Sequence, residues 1–246
     1  MNFKIKFTTY ALILTPILEV NLQAPIKDFG RSAELAKKWA EKAYHEWFWD
    51  KLSSKETSAL NEYTRFGYKK INRYLNETNG QLVKETDALS QKYRIKDLNE
   101  QIETIDNALE KIQIPDSINV YKRVDERYFS LEIDELRNEN GQMKQKLVKK
   151  IHDIYITKEI KQYNFISTSL INEPEHITFN YIEFPILMKI KVPKGIHGGY
   201  LGQISNYQDE LEMLLKRNYT FRYDRFSIIK EINMETLKAE ITLLNR

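Results

Sequence analysis

The character of this chain changes at Pro115, and that change constrains its fold more than any other feature of the sequence. Before the proline, apolar residues recur at three- and four-residue steps, as on the buried face of a helix. After it, short apolar runs bounded by turn residues predict β-strands. Helices followed by strands indicate an α+β domain with helices packed against antiparallel sheets.

Helices are predicted over residues 32–52, from 53 to about 75, and over 95–112, followed by a charged helix over 133–154. The first would bury the stripe Leu35, Trp39, Ala43 and Trp47, while Ser53 and Glu56 form a capping-box pattern that opens the second. Strands are predicted over 118–123, 163–168, 186–192, 212–215, 219–223, 226–232 and 237–244. The segments 193–195 and 198–199 are predicted turns because they contain glycine and proline.

Composition excludes several classes of function. The formal net charge is +3 and the charges are interspersed, which argues against a nucleic-acid partner. The chain has no cysteine, so disulfide frameworks, thiolate catalysis and cysteine-ligated zinc are excluded. Its 246 residues fit one domain, or one domain preceded by a leader.

The first 24 residues resemble a secretory signal peptide. Lys4 and Lys6 give a basic start, and residues 10–18 form an apolar run too short to cross a bilayer. Cleavage near Ala24 would leave residues 25–246 as a single domain. The alternative is an N-terminal helix or strand packed on that domain.

Most familiar catalytic constellations are missing from the sequence. His45, His152, His176 and His197 are each isolated, without the partner at i+4 that a helical metal site needs, so no metal is expected. The chain has neither a G-x-S-x-G elbow nor a glycine-rich phosphate loop. Hydroxyls, carboxylates and aromatic residues are left as the candidates.

Two short motifs carry these groups. Glu210 and Glu212 stand one residue apart at the entrance to an apolar strand, where alternation would put both carboxylates on one face and Leu211 in the core. In Ser167-Thr168-Ser169, the two serines would likewise share a face, and a buried hydroxyl can fix the rotamer of a catalytic glutamate. By itself each motif is more often an ordinary strand.

Five ordered blocks nevertheless resemble the bacterial mono-ADP-ribosyltransferase toxins, closest to the catalytic half of iota-type binary toxin components and next to the clostridial Rho-modifying exoenzymes. The blocks are residues 61–75, 105–110, 164–169, 199–201 and 210–215. The resemblance implies two packed antiparallel β-sheets beside the helical layer, with NAD bound in the cleft between them.

The resemblance also implies roles for individual residues. Glu212 would hold the ribose hydroxyl and stabilise positive charge on the sugar, and Ser167 would position it. Glu210 would match the carboxylate present where arginine is modified and replaced by glutamine where asparagine is modified. The remaining matches are Tyr207 in the substrate-recognition turn, Tyr63 and Tyr68 along the NAD cleft, and Asn164 at the nicotinamide or its ribose.

Two positions depart from the family pattern. The first-strand arginine that binds the NAD phosphates falls on Lys122, with Arg123 one residue later and therefore on the opposite strand face unless the strand bulges. The second phosphate-binding arginine falls on Phe184. Lys189 and Arg127 are basic residues that could compensate.

The expected function is NAD-dependent transfer of ADP-ribose to an arginine of a host protein, actin first. NAD is consumed as a substrate. The protein is expected to be a secreted, monomeric virulence toxin that acts in the host cytosol, with a separate translocation component as a further candidate partner. The alternatives are a catalytically impaired docking module, an NAD glycohydrolase, and an asparagine-modifying enzyme directed at Rho.

Overall fold

The computed structural model describes residues 25–84, 92–174, 183–231 and 233–245. The predicted leader, residues 1–24, lies outside the described residues. The described helices are α1 (Ala33–Glu46), α2 (Ser54–Glu62), α3 (Tyr68–Glu77), α4 (Ile95–Glu110) and α5 (Gln145–Tyr155). The strands are β1 (Ile118–Val124), β2 (Glu159–Lys161), β3 (Ile166–Ser169), β4 (Ile186–Val192), β5 (Gly198–Tyr200), β6 (Glu212–Leu215), β7 (Thr220–Glu231) and β8 (Met234–Leu244). The predicted α+β class with an N-terminal helical layer is confirmed.

These strands form a sheet of order β2-β7-β8-β4-β1-β3-β6-β5, antiparallel throughout except between β4 and β8. The pairing between neighbouring strands is reduced to one residue pair at one place in the sheet. β1 pairs with β4 along its whole length but with β3 only through Tyr121 and Ser169. The two sheets expected from the resemblance are therefore joined by one residue pair, which we call the seam. It separates a five-strand half, β2 to β1, from a three-strand half, β3 to β5.

Two helices confirm the sequence patterns closely. Along α4 the predicted apolar face is buried, with Leu98, Ile102, Ile105 and Leu109 at most 3% exposed. Ser53 caps α2 in a complete capping box with Glu56. A further link joins the helical layer to α4, because the indole Nε1 of Trp47 donates to the Ala108 carbonyl at 2.9 Å.

Several predictions about elements were wrong in detail. The two strands predicted over 219–223 and 226–232 are one strand, β7. The stripe predicted for α1 is wrong only in part: Leu35 is 60% exposed and Ala36, Ala40 and Tyr44 are buried, whereas Trp47 is buried as predicted. Trp39 and Ala43 are partly buried and pack against the core. Residues 198–199 lie in β5 instead of forming a turn. The helix predicted over 133–154 begins only at Gln145.

The shortened helix has a local cause. The Asn138 side chain accepts hydrogen bonds from the backbone N–H groups of Asn140 and Gln142, which favours turns over a helix. Asp134 and Gly141 also have positive φ. Among the described residues, no helix is long and apolar enough to cross a membrane.

Candidate active site

A cavity opens at the seam, where β1 and β3 run on past their single shared pair. Described residues from both halves of the sheet and from the segments that follow β3 and precede β4 line it: Tyr121, Lys122, Arg123, Ser167, Thr168, Ser169, Ile171, Asn172, Pro174, Phe184, Leu187, Glu210 and Glu212. Polar side chains thus converge in the gap between β1 and β3, where the two strands no longer pair.

Glu212 is the buried carboxylate of this cavity, with 6% of its surface exposed at the start of β6. Ser167, on the neighbouring strand, donates its hydroxyl to Glu212 Oε1 at 2.6 Å. Burial raises the pKa of Glu212 to about 7; the charge of Glu210 also raises it, while the Ser167 hydrogen bond and the charge of Lys122 lower it. A carboxylate held in this way titrates near neutrality, as acid–base groups of active sites do.

Glu210 reaches the same cavity by a route that strand alternation did not predict. It ends a 3₁₀ turn, Gln208–Glu210, and Leu211 then takes the left-handed conformation with φ 46° and ψ 47° before β6 begins. Leu211 is buried, as expected, and its carbonyl accepts the N–H of Leu170 at 3.1 Å. The Ser169 hydroxyl donates to the Glu210 carbonyl at 2.7 Å, which ties the turn to β3.

The two basic residues of β1 both line the cavity, although they come from opposite faces of the strand. β1 and β4 pair without a register shift, so the bulge that Arg123 was expected to need is absent from this pairing. The open end of the seam gives access to both faces instead. Lys122 Nζ donates to the Ser167 carbonyl at 2.9 Å, and burial lowers its pKa while Glu212 raises it.

Arg123 is held by a carboxylate of the five-strand half. Its Nη2 donates to Glu231 Oε1 at 2.6 Å, and both side chains are 11% exposed. Phe184 is a wall of the cavity. The suggested compensating residues lie elsewhere: Arg127 pairs with Asp125, and Lys189 pairs with Asp28.

The other predicted site residues are not among the described residues that line the cavity. Tyr63 is fully buried and packs edge-on against Phe165, which directly precedes β3. Its pKa is raised by burial and further by the nearby charge of Glu212. Tyr68 is partly exposed beside Tyr63, and Tyr207 is 52% exposed on the turn before Glu210. Asn164 lies half-buried two residues before β3.

Sequence reasoning missed several wall residues. Tyr121, Asn172 and Leu187 line the cavity and were assigned no role. Tyr121 could have been found, since it begins the Tyr-Lys-Arg run of the first strand; Asn172 and Leu187 enter only through tertiary contact. No group of three or more His, Cys, Asp or Glu side chains suited to a metal ion occurs within the described ranges.

Comparison with known proteins places this chain in a family. The model of the ADP-ribosyltransferase exoenzyme family matches residues 36–246. The mono-ADP-ribosyltransferase C3 of Hathewaya limosa is 30% identical over 196 residues, covering 79% of this chain and 71% of that protein.

Solved structures agree. Plx2a, an ADP-ribosyltransferase toxin from Paenibacillus larvae, superimposes with a TM-score of 0.76 at 32% identity, covering 90% of this chain and 100% of that one. The ADP-ribosylating toxin BECa of a binary enterotoxin of C. perfringens, solved with NADH, has a TM-score of 0.72 at 25% identity over 89% of this chain and 50% of its own. The chain belongs to the ADP-ribosyltransferase exoenzyme family of bacterial mono-ADP-ribosyltransferase toxins.

Proposed function

We propose that this protein is a secreted, NAD-dependent mono-ADP-ribosyltransferase that modifies an arginine of a host protein in the host cytosol, with actin as the first target to test. The observation that carries the proposal is the pair of carboxylates at the seam. Glu212 is buried and held by Ser167, and Glu210 lies beside it on a turn. One carboxylate is thereby available for the sugar and a second for the acceptor.

The cavity suits a dinucleotide. Lys122 and Arg123 supply positive charge for a diphosphate, and Glu212 supplies a hydrogen-bond acceptor for a ribose hydroxyl. BECa, solved with NADH, gives independent support for a dinucleotide in this fold. NAD would be a substrate, consumed in each turnover.

Glu212 would stabilise the transition state electrostatically. As the bond between nicotinamide and C1′ of the ribose breaks, the electron pair leaves with the nicotinamide nitrogen and positive charge develops on the sugar. A buried carboxylate fixed by Ser167 is already oriented toward such charge and has little solvent to reorganise. Its ionised form is the one required.

Glu210 would act on the acceptor. A guanidinium nitrogen bonds to C1′ and must lose one proton, which a carboxylate can accept and an amide cannot. The left-handed Leu211 sets Glu210 apart from Glu212, so the two carboxylates approach the cavity from different backbone segments. The products are free nicotinamide and an ADP-ribosylated arginine.

One observation favours a second candidate, transfer to an asparagine of a Rho-family protein. The C3 enzyme of H. limosa belongs by name to the exoenzyme side of the resemblance, and this chain covers more of it than of BECa. Glu210 argues against this candidate, since the resemblance assigns glutamine to that position in asparagine-modifying members.

The test is to incubate the protein with labelled NAD and a host-cell lysate, and with purified actin, and to locate the modified residue by mass spectrometry. We expect labelled arginine with wild type and a loss on the order of 10²–10³ in rate with Glu212→Gln. Labelled asparagine in a Rho protein would establish the second candidate. Nicotinamide release without labelled protein would indicate a glycohydrolase, and neither product would indicate a docking module.

A further inference from the structure

One nitrogen of the Arg123 guanidinium lacks a hydrogen-bond partner among the described residues. Its Nη2 is bound to Glu231, but its Nη1 is buried and has no partner among the described residues. A guanidinium carries five N–H donors, and a buried donor without an acceptor is costly to the folded state. Arg123 also lines the cavity, so its guanidinium lies close to any acceptor that enters there.

Glu231 is itself fixed on both of its oxygens. Oε1 accepts from Arg123, and Oε2 accepts the hydroxyl of Thr236 at 2.5 Å. Thr236 is fully buried and also accepts from Arg137 Nη2 at 3.2 Å. Arg137 is anchored in turn by its Nε, which donates to the Glu235 carbonyl at 2.7 Å. With both oxygens engaged, the carboxylate holds the Arg123 guanidinium in one orientation.

We propose that Glu231 is a positioning residue for NAD binding: it holds the Arg123 guanidinium at the cavity wall for the diphosphate, with Thr236 and Arg137 fixing Glu231. The inference rests on the proposed function. It also explains how a chain with lysine at position 122 can bind the diphosphate. Lys122 comes from one face of β1 and Arg123 from the other, so the two cations flank the open end of the seam.

Glu231 could instead compete with the diphosphate for Arg123, and the two roles predict different effects on NAD binding. If Glu231 only neutralised Arg123, removing its charge would free the guanidinium and tighten NAD binding. If it orients Arg123, an acceptor must remain. Glu231→Gln retains one oxygen for Arg123 and a donor amide for Thr236, whereas Glu231→Ala retains neither.

The experiment is calorimetric titration of NAD and of ADP-ribose, which keeps the diphosphate but lacks nicotinamide. The variants are Arg123→Ala, Glu231→Gln, Glu231→Ala, the double Arg123→Ala/Glu231→Ala, and Thr236→Val. Thr236→Val keeps the shape of a buried residue, so it tests the same contact if Glu231→Ala folds poorly. Arg127→Ala is the matched control, an arginine on the next turn that lies outside the cavity.

We expect Arg123→Ala to weaken both ligands at least tenfold, as for loss of charge-assisted bonds to phosphate. Glu231→Gln should stay within about twofold of wild type, Glu231→Ala should weaken binding about fivefold, and Thr236→Val should weaken it by less. In the Arg123→Ala background, Glu231→Ala should have no further effect.

Several outcomes would overturn the inference while leaving the proposed function intact. In the first, wild type binds NAD and Arg123→Ala binds it equally well. In the second, Glu231→Ala binds NAD as tightly as wild type or more tightly. A wild-type protein that does not bind NAD would overturn both proposals. Arg127→Ala should bind like wild type; an equal loss there would show that any lost surface charge explains the effect.

Discussion

The neighbours of Glu212 shift its pKa in opposite directions. Glu210 raises its pKa, whereas Ser167 and Lys122 lower it, and the balance after burial is a pKa of about 7. The proposed chemistry needs the ionised form, so the enzyme would work near the midpoint of this titration at neutral pH. The Glu212 environment therefore gives the clearest predictions at the scale of single residues.

The first prediction concerns pH. The kcat/KM for nicotinamide release should rise about tenfold per pH unit below 7 and level off above it, because kcat/KM reports the pKa of the free enzyme. Lys122→Met removes a charge that lowers the pKa of Glu212, so its midpoint should move to higher pH. Glu210→Gln removes a charge that raises it, so its midpoint should move to lower pH. A profile that is flat from about pH 5 to 9, or two midpoints displaced in one direction, would contradict the assignment of Glu212.

The second prediction separates the two carboxylates. Glu210→Gln should reduce transfer to protein by about 10²-fold or more, the usual scale of a lost proton acceptor, while NAD hydrolysis falls much less. Both rates are measured on one sample above pH 8, where Glu212 is ionised in either protein. Equal losses in the two rates would place Glu210 in NAD cleavage and remove the argument for an arginine acceptor.

The sequence predicted which residues meet at this site better than the backbone path by which they reach it. The motifs correctly brought Glu210, Glu212 and Ser167 to one cavity. Alternation gave the wrong route for Glu210, because a turn with a left-handed Leu211 replaces the first part of the strand. Nothing local marks such a leucine; its conformation is held by burial and by the contact with Leu170. The Arg123–Glu231 pair joins residues far apart in the chain and has no sequence signal.

At the scale of elements, predictions held where one periodicity dominated. The strands Ile186–Val192 and Glu212–Leu215 have the predicted bounds, because mostly apolar runs of this length are typical of strands that are buried on both faces. The stripe of α1 was correct at Trp47 but wrong at Leu35, because the small residues Ala36 and Ala40 occupy the buried face there. The prediction assigned the larger apolar side chains to the buried face. A helix that packs closely against its neighbours instead favours alanine at the contact.

Gly199 in β5 is explained by its close approach to Trp47. A Cβ at this position would lie 2.3 Å from Cη2 of Trp47, and the indole is held by its hydrogen bond to Ala108. Gly199 was expected in a turn, but its role in β5 is to admit the ring. Glycine is required here by close packing against Trp47 and not by a positive φ.

The third prediction follows. Gly199→Ala should destabilise the protein by about 2–3 kcal/mol through overpacking, measured by urea denaturation. Trp47→Phe shortens the ring, so the double variant Gly199→Ala/Trp47→Phe should lose less than the two single changes added together. An additive double variant would show that the two residues do not clash.

At the scale of the whole molecule, the buried Glu212 makes stability depend on pH. Its pKa is raised from 4.5 to about 7, so between those values the folded state binds a proton that the unfolded state has released. Stability therefore falls as pH rises through this window. By linkage the loss is about 3 kcal/mol, since each tenfold change in proton affinity corresponds to about 1.4 kcal/mol.

The fourth prediction is that Glu212→Gln, although expected to lose activity, is more stable than wild type above pH 7. The gain should be largest near pH 8 and nearly absent near pH 4.5, because a protonated carboxyl and an amide cost similar amounts to bury. Unfolding free energies at these pH values measure it. Glu103→Gln, a change at an exposed glutamate of α4, is the control and should show no such trend. A constant difference across pH would refute the buried titration.

The seam has one more consequence. Between β1 and β3 the backbone contributes a single residue pair, and the bond from Lys122 Nζ to the Ser167 carbonyl crosses the same gap with a side chain. A dinucleotide bound there would contact Lys122 and Arg123 on one side and Ser167 and Glu212 on the other. It would complete the connection that the strands leave unfinished, as a removable crosslink between two parts of one domain. Each turnover would then release that crosslink together with the products, so the enzyme would be least tightly joined at the moment when it exchanges them.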